Sequence, residues 1–236
     1  RLDVADMYEQ VADRSSRLEA GGEDLPIAAC GVLAVAAGSG MRGLFAGLGA
    51  RTLDGGSTLN PSTYELLAGI HTVPTDAVIV LPNSPNTIMA AERAAELSEK
   101  PVRVVPTRSQ QAAIPALLAF DRDAPAADNV AALEEALAGV RTGGVAEAAR
   151  DDPAGRFAPG DALGYVGEDL VAWGAPEPTL GAVLAGVAEG CEVVTCIAGE
   201  GSPLSVEEIE LMVPEGVELD YHAGGQPAWW WLLVAE

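Results

Sequence analysis

The sequence predicts an α/β protein in two parts, a parallel sheet covered by helices followed by a mixed or antiparallel sheet with helices. Two observations lead to this prediction. Short apolar runs of strand length alternate with helix-like segments in the first half, and loops rich in Gly, Ser and Asn follow these runs. After Gly143 and Gly144 the alternation ends and strand candidates follow one another closely. Continuous apolar strands alternating with helices are typical of a parallel sheet that is covered on both faces.

The change of pattern sets the expected domain organisation. We expect a leader or linker over residues 1–27, a Rossmann-like α/β lobe over 28–121, a connecting helix over 122–144 and an α+β lobe over 145–236. The chain begins at Arg1 rather than at a methionine, which suggests a fragment with a further domain upstream.

The first lobe contains four predicted strand–helix pairs. The strands are predicted at residues 31–36, 50–53, 77–81 and 102–105, and the helices at 41–48, 64–70, 87–98 and 111–120. Ligands of parallel sheets bind at the loops beyond the carboxyl ends of the strands. Four polar loops fit this position, at residues 38–40, 55–63, 82–86 and 106–109.

The second lobe is predicted to contain a hairpin, further strands and two helices. The connecting helix is expected at 128–140, strands at 145–150, 162–166, 170–173, 192–198, 217–221 and 229–234, and helices at 179–188 and 205–212. Gly167 marks the hairpin turn. Ser205 and Glu208 have the spacing of a capping box, which predicts the start of the last helix.

Composition and charge exclude several function classes. The formal net charge of −22 disfavours nucleic acid and anionic membrane surfaces, whose phosphates would be repelled. No apolar run approaches the ~20 residues that a membrane helix needs. Three cysteines without a secretory signal indicate a reducing compartment, and we expect the protein in the cytoplasm. We expect all three to be buried, with Cys191 and Cys196 on opposite faces of one strand, which gives no metal site.

The segment from Asp54 to Leu67 has two interpretations. Two glycines allow a close approach of the backbone, and small polar side chains precede a helix, where free N–H groups hold carboxylates or phosphates. The same residues also suit plain helix capping by Asn60 or Ser62. The candidates for a small-anion site are Thr58, Asn60, Ser62, Thr63 and, from the next loop, Asn83.

Arg108 and His222 are further candidates, each with an alternative. Arg108 follows a strand and suits bidentate contact with an anion, but in so acidic a chain it could instead neutralise a neighbouring carboxylate. His222 precedes two glycines and suits either an anion or a hydrogen bond within a turn. His71 is expected at the surface near a helix end. We identify no nucleophile–base pair and propose no catalytic residue or metal site.

Three consecutive tryptophans, 229–231, stand out in a chain that has only 5% aromatic residues. In a strand, Trp229 and Trp231 would share one face and Trp230 would take the other. These side chains suit a buried last strand or an aromatic surface for a partner.

Several motifs resemble a known family when taken in order. The matching segments are GVLAVAAG at 31–38, GGSTLNPST at 55–63, LPNSPN at 81–86, VPTRS at 105–109 and HAGGQP at 222–227. They resemble the C-terminal domain of the A-type polypeptide of fatty acid kinase, of the dihydroxyacetone-kinase-like family, over residues 28–236. Ser84 and Pro85 depart from the polar or basic pair that this family would place there.

The resemblance implies a non-catalytic part of an ATP-dependent fatty acid kinase. A separate upstream kinase domain would bind ATP and magnesium, and this chain would hold neither cofactor. The C-terminal domain would dock a fatty-acid-carrying protein of the DegV family, so that the acyl group becomes an acyl phosphate for lipid synthesis.

A second resemblance supports an alternative. The order of loops is similar to the DegV family itself, in which two lobes clamp a fatty acid. This similarity implies a two-lobed domain that binds a fatty acid or a small phosphorylated ligand between its lobes; an open apolar cleft beside Ser62 would favour it, and a filled cleft would favour docking. A third hypothesis, a kinase component for a dihydroxyacetone-like substrate, requires a histidine at the first lobe's cleft, where His71 is misplaced.

Overall fold

The computed structural model describes residues 28–235, so the leader expected over 1–27 lies outside the described residues. The strands are β1 (Ala28–Ala36), β2 (Arg51–Asp54), β3 (Thr75–Leu81), β4 (Val102–Val104), β5 (Arg141–Glu147), β6 (Ala162–Val166), β7 (Asp169–Gly174), β8 (Val193–Ala198), β9 (Glu218–Ala223) and β10 (Trp231–Ala235). The helices are α1 (Ser39–Gly47), α2 (Thr63–Thr72), α3 (Pro85–Leu97), α4 (Ala113–Leu118), α5 (Ala126–Ala138), α6 (Pro176–Val187) and α7 (Val206–Glu210). None of these helices is long and apolar enough to cross a membrane.

The first sheet is parallel, with the strand order β2-β1-β3-β4. Its central strands are apolar on both faces, because helices cover both. Leu66 and Ile70 of α2 pack on one face with Ala91 of α3. Met41 and Phe45 of α1 pack on the other, together with α4 and α5. The predicted α/β class is therefore confirmed for this part.

The second sheet is mixed, with the order β7-β6-β5-β10-β8-β9, in which only the β8–β9 pair is parallel. The hairpin predicted around Gly167 is formed by β6 and β7. Helices α6 and α7 cover the outer face of this sheet, where Leu180 and Ile209 are buried. The capping box of Ser205 and Glu208 starts α7 as predicted.

Strand β5 begins at Arg141, four residues before the predicted start at 145. The prediction was wrong because Gly143 and Gly144 have low strand propensity. Their lack of a side chain is what the packing requires. A Cβ atom at Gly143 would lie 2.7 Å from the Val183 side chain of α6, so the helix can approach the sheet only over a bare backbone.

One core joins the two sheets. Val32 of β1 and Ile79 of β3 belong to the same buried cluster as Ile197 of β8 and Leu232 of β10, with Leu133 of α5 among them. The order of layers is therefore α2 and α3, first sheet, α1 with α4 and α5, second sheet, α6 and α7.

The loop at residues 38–40, one of the four predicted ligand loops, is occupied by the protein's own backbone. The Met41 N–H, at the start of α1, donates to the Gly224 carbonyl at 3.0 Å. A Cβ atom at Gly40 would lie 1.8 Å from the Ala223 oxygen. These glycines therefore allow the end of β9 to dock against α1, and the position where this helix could hold an anion is filled.

The tryptophan prediction was wrong in its geometry. Strand β10 begins at Trp231, and Ala228, with φ of 71°, turns the chain just before Trp229. Trp231 is fully buried on the α6 side of the sheet, and Trp230 packs against the same cluster. Trp229 lies on the opposite side, against the core that joins the sheets.

Candidate functional site

A cleft of about 800 Å³ opens between the two sheets. On one side lie the loops that follow β2, β3 and β4, as expected for the carboxyl ends of parallel strands. On the other side lie β5, β6 and the start of β10. Its size is in the range of small-molecule sites in proteins.

The buried polar residues of the cleft are amides, Asn83 and Gln111 among them. Asn83 adopts φ of 56°, and its Nδ2 donates to the Val35 carbonyl at 2.7 Å. Gln111 Nε2 donates to the Gly143 carbonyl at 3.1 Å and so links the two sheets. Among the described residues, neither Asn83 Oδ1 nor Gln111 Oε1 has a hydrogen-bond partner. Neighbouring Gln110 differs, since its Oε1 accepts from the Ala37 N–H at 2.7 Å.

The rim of the cleft carries charge of both signs. Arg108 Nε donates to Glu168 Oε1 at 3.0 Å, and a second bond joins its Nη2 to the same oxygen. Both side chains are well exposed, at 60% and 76%. Glu147 also lines the cleft, and Arg108 is the one cation among the described lining residues. The rim therefore carries one positive and two negative charges.

One wall of the cleft is apolar and aromatic. Leu59, Leu163 and Leu232 line it together with Tyr165 and Trp229. The two aromatic rings meet edge to face, with centroids 5.8 Å apart at an interplanar angle of 72°. The Trp229 ring lies over Gly144, where a Cβ atom would come within 2.8 Å of it. This wall suits the apolar part of a ligand.

Three of the seven candidate residues line the cleft, namely Thr58, Asn83 and Arg108. The structure does not bring the other four to it. Asn60 is exposed in the loop before α2, and Thr63 is the first residue of that helix. His222 is on β9, at an edge of the second sheet, where its Nε2 lies 2.8 Å from Asp220 Oδ2.

Ser62 is a helix cap. Its hydroxyl accepts from the Glu65 N–H at 3.2 Å, and Glu65 Oε2 accepts from the Ser62 N–H at 2.8 Å. These hydrogen bonds to Ser62 lower the pKa of the Glu65 carboxyl. The capping interpretation of this residue is therefore the one that the geometry supports, and His71 likewise lies exposed in the last turn of α2.

Sequence reasoning missed the residues that complete the cleft. Gln110 and Gln111 directly follow the loop of Arg108, and their position after a parallel strand was the available signal. Tyr165 and Glu168 reach the cleft only through the pairing of β6 with β5, which no local pattern reveals.

The cysteines offer little chemistry. Burial raises the pKa of the Cys196 thiol to about 12, and desolvation also raises that of Cys30. Cys191 is half-buried rather than buried, and it precedes β8, so it contacts the same cluster as Cys196 instead of the opposite face. Within residues 28–235, no three His, Cys, Asp or Glu side chains are grouped to hold a metal ion.

Comparison with known families gives a match over nearly the whole chain. The family model for the C-terminal part of fatty acid kinase A-like proteins matches residues 31–236. The chain belongs to this family. The fatty acid kinase A-like chain is 32% identical to the protein YloV of Bacillus subtilis over 215 residues, which is 87% of this chain and 39% of YloV. It therefore spans well under half the length of that relative.

Solved structures share the fold of this fatty acid kinase A-like domain. A fatty-acid-binding DegV family protein from Thermus thermophilus superposes with a TM-score of 0.58 at 14% identity, over 88% of this chain and 99% of that one. The dihydroxyacetone kinase of C. freundii superposes with a TM-score of 0.55 at 16% identity, over 90% of this chain and 49% of the kinase. The predicted two-part fold, similar to both groups, is confirmed.

Proposed function

We propose that this domain is a non-catalytic docking part of a fatty acid kinase and that it engages the DegV-family protein that carries the fatty acid. A separate domain, with ATP and magnesium, would transfer the phosphoryl group to the acyl carboxylate. Docking would hold the loaded carrier near that domain and raise its effective concentration without new chemistry.

The observation that carries the proposal is the pairing of Arg108 with Glu168 in a cleft of DegV-like architecture. A carboxylate ligand needs cationic or free hydrogen-bond donors. Here the cationic side chain is neutralised, Glu147 adds a second negative charge, and two buried amide oxygens lack donors of their own. A fatty acid held in this cleft would face repulsion, which favours a domain that recognises a fatty acid carrier over one that carries fatty acid itself.

Calorimetric titration of the domain with a DegV-family protein from the same source tests this proposal, with the carrier free and loaded with oleate. We expect saturable binding. Because the domain is strongly acidic, the titration is repeated at high salt, where non-specific attraction is screened. Binding that disappears at high salt, or no binding in either state, contradicts the docking role.

Exposed apolar residues allow the docking surface to be located. Met89, Leu118, Trp173 and Leu211 lie on different elements of the fold and are each more than two-fifths exposed. Four variants, each with one of these residues changed to Asp, should remain folded. A docking surface that covers one of them should show a loss of carrier affinity confined to that variant, because interface energy is concentrated in few residues.

A second candidate function is ligand binding in the cleft by this domain alone. The specific observation in its favour is that the cleft is open and has an apolar wall. It is lined by Ser57, Thr58 and Leu59 rather than by Ser62 itself. Direct uptake of a small molecule by the isolated domain, in the absence of any carrier, would support this candidate.

A further inference from the structure

The amide oxygens of Asn83 and Gln111 define what the cleft lacks. The two residues are 1% and 5% exposed. Each amide nitrogen donates to a backbone carbonyl, which fixes the orientation of the amide, because a flipped amide would place oxygen against oxygen. A buried acceptor without a donor costs free energy. The cleft floor is therefore completed by a hydrogen-bond donor.

We infer that the cleft binds an uncharged amphiphile whose hydroxyl groups donate to Asn83 Oδ1 and Gln111 Oε1. This inference rests on the second candidate function and names its ligand class. Both oxygens are shielded from solvent, so the ligand reaches them after a small side-chain rotation at the floor. Ser57, Thr58 and Ser109 on the rim add hydroxyls that can both donate to and accept from a polyhydroxyl head group.

The charges of the site select an uncharged ligand. An anion would meet Glu147 and Glu168, while Arg108 is already paired. A cation would have to leave water for a floor of neutral amides, and burying an unpaired charge costs far more than burying a hydroxyl. The glutamates are exposed at the rim and do not offset that cost at the floor.

The apolar wall selects an amphiphile rather than a simple polyol. Leu59, Leu163 and Leu232 offer aliphatic surface, and the Tyr165 and Trp229 rings stand at an angle to each other beside it. A ligand with only hydroxyl groups would leave this surface without an apolar partner. An alkyl chain covers it, and burial of that surface supplies the affinity.

Three probes with the same eight-carbon chain test the inference by head-group charge: octyl glucoside, octanoate and octyltrimethylammonium. Each is titrated below its micelle concentration into the domain and followed by tryptophan fluorescence, which Trp229 reports from the cleft, and by calorimetry. We expect saturable binding of octyl glucoside, with octanoate and octyltrimethylammonium at least about tenfold weaker.

Two variants test the two oxygens separately. Gln111→Met keeps the length of the side chain without the amide, and Asn83→Gly removes the side chain while tolerating the positive φ. Each should lower the affinity for octyl glucoside about tenfold. His222→Gln, far from the cleft, serves as the matched control and should leave it unchanged. Thermal melting shows whether each variant is folded, and either one is sufficient for the test.

The outcomes separate this inference from the second candidate function. Octanoate that binds as tightly as octyl glucoside overturns the ligand class and retains a ligand-binding cleft. If none of the three probes binds, both are overturned. Binding of octyl glucoside that neither variant weakens overturns the assignment of the two amides.

Discussion

Arg108, after the last strand of the first sheet, and Glu168, in the β6–β7 turn of the second, form an ion pair across the rim of the cleft, with Nε 3.0 Å from Oε1. A strand-end arginine that would suit an anion is thereby used within the protein. The pair also ties together two loops that lie 60 residues apart in the sequence.

Removing Glu168 should free Arg108 for an anion. Glu168→Gln should raise the affinity of the domain for octanoate several-fold, because the guanidinium regains its donors and one negative charge is lost. Calorimetry measures the affinity. The thermal midpoint should hardly change, since exposed ion pairs contribute about 0–1 kcal/mol. Glu92→Gln on α3 changes the net charge equally and controls for it; an equal gain there would contradict the explanation.

Gly40 should be intolerant of any side chain. Gly40→Ala places a Cβ atom against the Ala223 carbonyl, and separation of α1 from β9 should cost about 3 kcal/mol or more of the free energy of unfolding. Gly43→Ala, in the same helix with open space around it, should instead stabilise the protein by about 0.5–1 kcal/mol. Urea unfolding of both variants measures the difference, and similar values would refute the close packing of α1 on β9.

Ser62 should matter for stability and not for ligand binding. Ser62→Ala should cost about 1 kcal/mol through loss of the N-cap. The lowered pKa of Glu65 means that this carboxylate adds stability above its unfolded pKa of about 4.3, and that the contribution is lost as the pH falls through the lower folded pKa. The cost of the substitution should therefore shrink in acid. Urea unfolding at pH 7 and pH 3 checks this, and a constant cost would contradict it.

The three cysteines should differ in reactivity. Cys196 and Cys30 are buried with raised pKa values, so few thiolates form at neutral pH. Cys191 is partly exposed. Brief treatment of the native protein with a maleimide at pH 7.5 should modify Cys191 alone, and all three should react in denaturant. Mass spectrometry of peptides identifies the sites. Rapid native labelling of Cys196 would show that its burial is wrong.

The sequence was sufficient for features that depend on local pattern. The apolar run that became β3 and the hairpin at Gly167 were predictable because periodicity and turn residues act over a few residues. The capping role of Ser62 was also among the two predicted alternatives, since its partner Glu65 lies three residues away.

The rest depends on contacts between distant segments. Gly143 looks unsuited to a strand until α6 packs on it, and Trp229 changes sides because Ala228 turns the chain. The loop at 38–40 has the composition of a ligand loop, and only the return of residues 223–225 shows that it is closed. Gln111 became a candidate residue once β5 was found opposite it.

The most direct test of the central claim is to ask which protein holds the fatty acid in the complex. Oleate labelled with ¹³C at its carboxyl carbon is loaded on the DegV-family carrier, and excess domain is added. The account predicts that the carboxyl resonance stays at or near its carrier-bound position while the complex forms. Transfer of the signal to the position that oleate adopts with the domain alone would contradict it.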